Sequence, residues 1–533
     1  MFLLQHWLDK AAAAVPEKAA LVDSDGAATT YRQLQSQSRA IAHSLRSRSL
    51  APSDRVAILQ KRSSRVIASI FGTLYADGIY VPIHSASPST RFTQILDICD
   101  AAAIICDKTT RALVEETLCG RQTAPAVLYV GAEDERGSLP IEWQFVDPDA
   151  DTPAVDHSAA AIDVDAACLI FTSGSTGQPK GVAVTHRGIV DYMDWATRYF
   201  ALSAEDRILG TAPFHFDMST FDIHVTIRAQ ATLCIASDTD ILFPGRLIAF
   251  IEREQPTIWK GVSSLLAYLA KTGELSSAQL SSLTRIVFSG EKLPTQRLIE
   301  WMSAVPKPRY FNAYGPTEAT GISTCYEIAE IPASAEQSLP IGAACTNTHV
   351  FVIDENGRIL EDGEVGELCI RGSGLALGYW RDTQLTRKKF VRLDDAKASY
   401  ARVYHTGDRG YRDRDGLFHL VGRMDDQVKV QGYRIELGEV THAVESCECV
   451  LAACTLCTEL DGTASLVTFV ELTGDSVTQG QLANDVRRRL PAYMLPSRFV
   501  IMDRLPRTDR GKIDKMALAE LLQEPSDKLA ALT

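Results

Sequence analysis

At 533 residues the chain is too long for a single hydrophobic core and divides into several domains or subdomains. Its composition, 46% hydrophobic and 23% charged, is that of an ordinary globular protein, so disorder is not expected to dominate. A net charge of −13 argues against nucleic acid as a partner, since phosphate backbones are held by clustered Lys and Arg, but it permits nucleotides, which need only a local basic site.

The N-terminal run MFLLQHWLDK is apolar only until His6 and Asp9 interrupt it, and no apolar stretch reaches membrane-spanning length; a soluble cytoplasmic protein is expected. YRQLQSQSRAIAHSLRSR, residues 31–48, has the spacing of a helix whose Leu34, Ile41 and Leu45 share a face. Apolar runs such as RVAILQ and YVPI alternate with such helices, which points to α/β layers. AACLIF (166–171) and VAVTH (182–186) read as buried strands around FTSGSTGQPKG. That run crowds glycines, hydroxyls and Lys180 together, the makings of a phosphate cradle. It is not the nucleotide loop G-x-x-x-x-G-K-[ST], because Pro179 stands at the second glycine and Gly181 follows the lysine; on this segment alone a flexible surface loop is the competing reading.

Further along, residues 404–440 concentrate glycine and charge and read as tight hairpins leading into a helix capped near Glu436 to Glu439. We place a domain boundary at Asp425, giving domains 1–424 and 425–533, the second a small α/β unit. The 12 cysteines are scattered, which suits reduced thiols. Cys447, Cys449, Cys454 and Cys457 have metal-like spacing, but the helix-like GEVTHAVES and strand-like LAACTLCTE make them core and edge positions.

Taken in order, TYRQL, LYADGIYVPI, FTSGSTGQPKGV, FHFDMS, NAYGPTEAT, GELCIRGSGLALGYW, YHTGDRGYRDRDG, GRMDDQVKVQGYRIELGEV, LPAYMLPSRF and RTDRGKIDK resemble the adenylate-forming enzymes nearly end to end. Within that superfamily the chain is similar to a free-standing amino-acid adenylation domain of the nonribosomal peptide synthetase type. TIWKGVSSLLAYL and IVFSGEKLPT are closest to stand-alone ligases such as the D-alanine carrier-protein ligases. The resemblance implies an α/β fold: a large N-terminal domain of several subdomains, with α/β sheets and a β-barrel-like part, plus a small mobile α+β C-terminal domain.

The implied reaction joins a carboxylate to the α-phosphate of ATP while pyrophosphate leaves, so cations and oriented donors carry the catalysis, and an already ionised carboxylate needs no general base. By resemblance, Thr172, Ser173, Ser175, Thr176 and Lys180 cradle the leaving phosphates. Asn312 and Tyr314 border the adenine, Ala313 between them counts with the ATP-binding residues and also lies around the substrate's side chain, Thr317 meets the α-phosphate, and Glu318 holds Mg²⁺, a hard ion suited to a carboxylate. Asp408 and Arg423 match the ribose positions, and Lys512 matches the lysine that bridges carboxylate and α-phosphate. Arg510 stands where the family pattern has Asn. The small domain is expected to turn about Asp425, exchanging the Lys512 loop for the QVKVQG loop beside Gly432.

Asp217 matches the aspartate that receives the substrate's ammonium, and Met218, Phe221, Lys260, Val287, Ser289, Gly321 and Ile322 match the side-chain pocket. Lys260 is the anomaly there: it pairs with an acidic or carbonyl-bearing substrate, or it reaches solvent or Glu291 and leaves room for a small neutral one. The expected partners are an amino acid and a phosphopantetheinylated carrier protein in trans, since no carrier segment is seen; no nucleic acid or membrane is expected. An acyl- or aryl-CoA ligase shares the ATP motifs but lacks a role for Asp217, and a silent binding protein would not keep Lys180, Glu318, Asp408 and Lys512 together.

Overall fold

The computed structural model describes residues 2–140, 142–149, 160–174, 177–392, 402–460, 463–473, 478–508 and 513–522. The chain forms two compact units, the first of 1–85, 96–171 and 181–424, the second of 86–95, 172–180 and 425–533.

Among the described residues the first unit holds three sheets. In one, the parallel strands Arg309–Tyr314, Arg285–Ser289, Ile258–Val262, Arg207–Gly210, Thr232–Ile235 and Ala19–Val22 lie side by side, with antiparallel strands at both ends. The second runs from Gln144–Val146 through Ala101–Cys106 and Ile79–Pro82 to Ala166–Thr172 and Lys180–Thr185. Its central strands are largely apolar because both faces are covered; all seven residues of Ala166–Thr172 are buried. The helix Tyr31–Ser47 opens with a capping box between Thr30 and Gln33, and its Leu34, Ile41 and Leu45 are fully buried. Each such side chain contributes roughly 1.5–3 kcal/mol. The neighbouring helix Ser64–Tyr75 comes close through Gly72, where a Cβ would lie 2.7 Å from Ile41.

One local expectation needs correction. The strand expected at 182–186 is Lys180–Thr185, because the Thr185 hydroxyl accepts the Gly188 N–H and starts the helix His186–Tyr199. The part expected to be barrel-like is a five-stranded antiparallel sheet among the described residues. Its long strand Arg402–Arg412 gives one edge to Gly366–Gly372 and divides its pairing further between Phe390–Arg392 and Phe418–Arg423. A strand of that length accommodates two partners end to end.

The second unit contains the hairpin Gln427–Val430 and Tyr433–Glu436, the helix Leu437–Glu445, and a sheet of Val450–Leu460, Thr463–Leu472 and Arg498–Met502. Gln431 and Gly432 take left-handed backbone at the hairpin turn. Cys447 and Cys454 lie in its apolar core, and Cys449 and Cys457 are half-buried. No helix among the described residues is long and apolar enough to cross a membrane.

Candidate active site

In the first unit, NAYGPTE turns from the strand Arg309–Tyr314 into the short helix Thr317–Ala319. Only glycine fits at 315, since a Cβ there would lie 1.6 Å from the Gly321 carbonyl oxygen. Thr320 and Gly321 have positive φ and return the chain beneath the turn. Glu318 is thereby wholly buried; its Oε1 accepts the Tyr379 hydroxyl at 2.7 Å. Thr317 is buried beside it, and Asn312 donates to the Pro340 carbonyl. A carboxylate is the hard oxygen donor that Mg²⁺ accepts, so Glu318 is chemically suited to the metal expected of it.

Asp408 and Arg423 face each other in register on neighbouring strands and form an ion pair. The Tyr314 hydroxyl donates to the other Asp408 oxygen at 2.6 Å, and burial next to that carboxylate pushes the Tyr314 phenol well up. Tyr314, Asp408 and Arg423 are thus one connected group. Each Asp408 oxygen keeps a further lone pair, so vicinal hydroxyls still find an acceptor.

Several of the residues matched to the side-chain pocket also lie near one another. Lys260 and Val287 are opposite each other on parallel strands, Ser289 ends the same strand as Val287, and Ala313 follows on the next one. Phe221 begins a π-helical turn, 221–225, and the Lys260 ammonium lies 5.8 Å from its ring centre and 3.4 Å from the Met218 carbonyl oxygen. Lys260 is 2% exposed, so it does not reach solvent, and Glu291 instead accepts the Ser264 N–H. Desolvation lowers its pKa, while Asp222 and then Asp217 act against this. Asp222, missed in the sequence, is wholly buried; burial pushes it up to about 7 against the pull of Lys260, with Oδ2 accepting the Ala212 N–H. Its Oδ1 and the Tyr192 hydroxyl are buried without hydrogen-bond partners. Tyr192 lies against Gly321, and Ile322 is buried next in sequence.

In the second unit, the loop 172–180 meets two further unforeseen residues. Lys180 pairs with Glu436 at 3.0 Å, the Gly174 N–H donates to Glu439 at 2.9 Å, and Arg91 pairs with Glu439. Ser173 donates to the Arg434 carbonyl and accepts the Glu436 N–H, whereas the Thr172 hydroxyl is buried without a partner. Carboxylates thus rest on donors suited to phosphate, which is the fit an anion cradle requires. Glu436 and Glu439 were visible in the sequence only as helix-capping candidates. Asp425 opens the long C-terminal segment of this unit. Ser175, Thr176 and Lys512 lie outside the described residues.

The AMP-binding enzyme family matches residues 8–380. The chain belongs to that family. It is 34% identical over 503 residues to zwittermicin A synthase ZmaJ of Bacillus cereus, covering 92% of this chain and 90% of that one. Tyrocidine synthase 3 of Brevibacillus parabrevis is 31% identical over 97% of this chain, which spans only 8% of that synthase. Among solved structures, the fused adenylation–PCP di-domain NpsA-ThdA of Klebsiella oxytoca superposes with a TM-score of 0.78 at 25% identity, covering 93% of each chain. The Vibrio cholerae adenylation domain AlmE, in complex with glycyl-adenosine-5'-phosphate, reaches 0.84 at 23% identity over 98% of each chain, a likeness of fold. This AMP-binding, adenylate-forming chain accordingly has the large and small α/β parts of such enzymes.

Proposed function

We propose that the chain activates an amino acid as its aminoacyl adenylate and passes the acyl group to the phosphopantetheine thiol of a separate carrier protein. The observation that carries the amino-acid part is Asp217, whose carboxylate acts electrostatically on Lys260 and Tyr192, the latter packed against Gly321. A substrate ammonium would meet Asp217 and leave its own carboxylate free to attack the α-phosphate of ATP, releasing pyrophosphate and forming the mixed anhydride. Glu318 would hold Mg²⁺, which neutralises phosphate charge.

The chain's own groups divide the remaining work. Asp408, with Arg423 and Tyr314 fixing its two oxygens, would receive the ribose hydroxyls. Thr172, Ser173, Ser175, Thr176 and Lys180 would take the departing phosphates, and Lys512 would bridge the two reacting charges. The side chain would be small and polar or acidic, because buried Lys260 is the main polar group among Met218, Phe221, Val287 and Ile322. A carrier-protein partner is supported by the likeness to the artificially fused adenylation–PCP di-domain NpsA-ThdA.

Amino-acid-dependent ATP–pyrophosphate exchange tests the reading. A panel including glycine, alanine, serine, aspartate and asparagine should give at least one active substrate, and Asp217→Ala should lower its kcat/KM by about a hundredfold or more, as expected for a buried ammonium left unpaired. Exchange with simple fatty or aryl acids, untouched by Asp217→Ala, would instead identify an acyl- or aryl-CoA ligase.

A further inference from the structure

A separate group of ligand-type side chains converges on the antiparallel sheet of the first unit. Cys369 and His405 are directly paired residues of Gly366–Gly372 and Arg402–Arg412. Glu367, two residues before Cys369, belongs to the same face. The register slips between Glu367 and Cys369, and Gly407, at positive φ, turns its N–H to the Glu367 carboxylate at 2.8 Å. The other Glu367 oxygen lies 2.9 Å from His405 Nδ1.

The thiol, carboxylate and imidazole ligand atoms all lie within 4.8 Å of one another. Cys369 is fully buried in a small apolar cluster with Phe351, Ile353 and Val403, while Glu367 and His405 are half-buried at its edge. This site therefore has a dry sulfur side and a wetter oxygen and nitrogen side. One thiolate, one imidazole and one carboxylate are the donors that a borderline-soft ion accepts in tetrahedral geometry, whereas Mg²⁺ and Ca²⁺ take oxygen ligands. All three ligands stand on adjacent paired strands, so their spacing is held by the backbone ladder.

We propose that Glu367, Cys369 and His405 bind a divalent transition-metal ion of the zinc type, with water in the fourth position. On binding, the Cys369 thiol proton passes to solvent, the imidazole proton facing Glu367 moves through solvent to Nε2, and the Glu367–His405 contact gives way to two metal–ligand bonds. His405 precedes Asp408 by three residues on the same strand, so the ion braces the strand that carries the Tyr314–Asp408–Arg423 group without touching it. Lys389 acts electrostatically on both Glu367 and Cys369, and its charge opposes the incoming ion.

Co²⁺ titration of the chelator-stripped full chain, followed by absorption, tests this. We expect a thiolate-to-cobalt charge-transfer band saturating at about one equivalent and displaced by Zn²⁺. Cys369→Ser should abolish the band, His405→Gln should weaken binding by about tenfold or more, and Lys389→Met should tighten it. Cys119→Ser and Cys449→Ser should leave it intact, and Zn²⁺ should raise the unfolding temperature of wild type but not of Cys369→Ser. A wild-type chain that shows no sulfur-to-cobalt band overturns the proposal whether or not the variants fold, as does a band that survives Cys369→Ser in a folded variant.

Discussion

Lys260 shows how a buried charge limits what a pocket accepts. The residue is 2% exposed, and its ammonium has Asp222 and Asp217 as electrostatic partners. If Asp217 balances a substrate ammonium, Asp222 is left to balance Lys260. An acidic side chain then adds one negative charge, unless Asp222, pushed up to about 7, takes a proton. We therefore predict that the kcat/KM ratio for aspartate over alanine in pyrophosphate exchange rises as pH falls from 8 to 6, by up to about tenfold per unit. Asp222→Asn should fix the ratio at its low-pH value, and Lys260→Ala should penalise aspartate far more than alanine. A wild-type ratio independent of pH would count against charge balance by Asp222.

At the scale of elements, His186 joins the start of one helix to another. It opens His186–Tyr199, and its Nδ1 accepts the Leu4 N–H at the start of Leu4–Ala14. Burial lowers its pKa from 6.5 to about 4. The folded pKa is depressed, so the stabilisation is present above 6.5 and is lost as pH falls towards 4; fully realised, it is worth about 3 kcal/mol. His186→Gln, which keeps an acceptor, should flatten the decline of unfolding temperature across that window; an unchanged acid limb would assign the decline to other groups. The loop 172–180 offers a second test, because Glu436 holds Lys180 in the second unit. Phosphates that need Lys180 must displace that carboxylate. Glu436→Gln should therefore lower the KM for ATP, by about three- to tenfold for a part-buried ion pair, while an unchanged or raised KM would show that Glu436 does not compete.

For the whole molecule, the proposed two-step reaction predicts different losses in its two halves. Lys512→Ala should lower pyrophosphate exchange by orders of magnitude while largely sparing thioester formation from a supplied adenylate, because the charge it bridges exists only in the first step. Asp425→Pro restricts the torsion where the long C-terminal segment of the second unit begins, and should impair carrier loading while leaving exchange largely intact. Equal losses in both half-reactions for Lys512→Ala, or normal carrier loading by Asp425→Pro, would contradict those roles.

The sequence by itself determined the family and the local elements, because ordered motifs and apolar spacing are properties of neighbouring residues. The Tyr31–Ser47 helix with buried Leu34, Ile41 and Leu45 follows from periodicity, and the strand Ala166–Thr172 from a short continuous apolar run bounded by turn residues. Gly315 could be read as a turn, but its necessity depends on the Gly321 carbonyl that the returning chain brings to it. Only the tertiary structure decided the partners. Asp222 lies far from Lys260 in the chain, Tyr379 far from Glu318, and Cys369 far from His405; sheet register and loop return bring such groups together, and a linear pattern does not encode those distances.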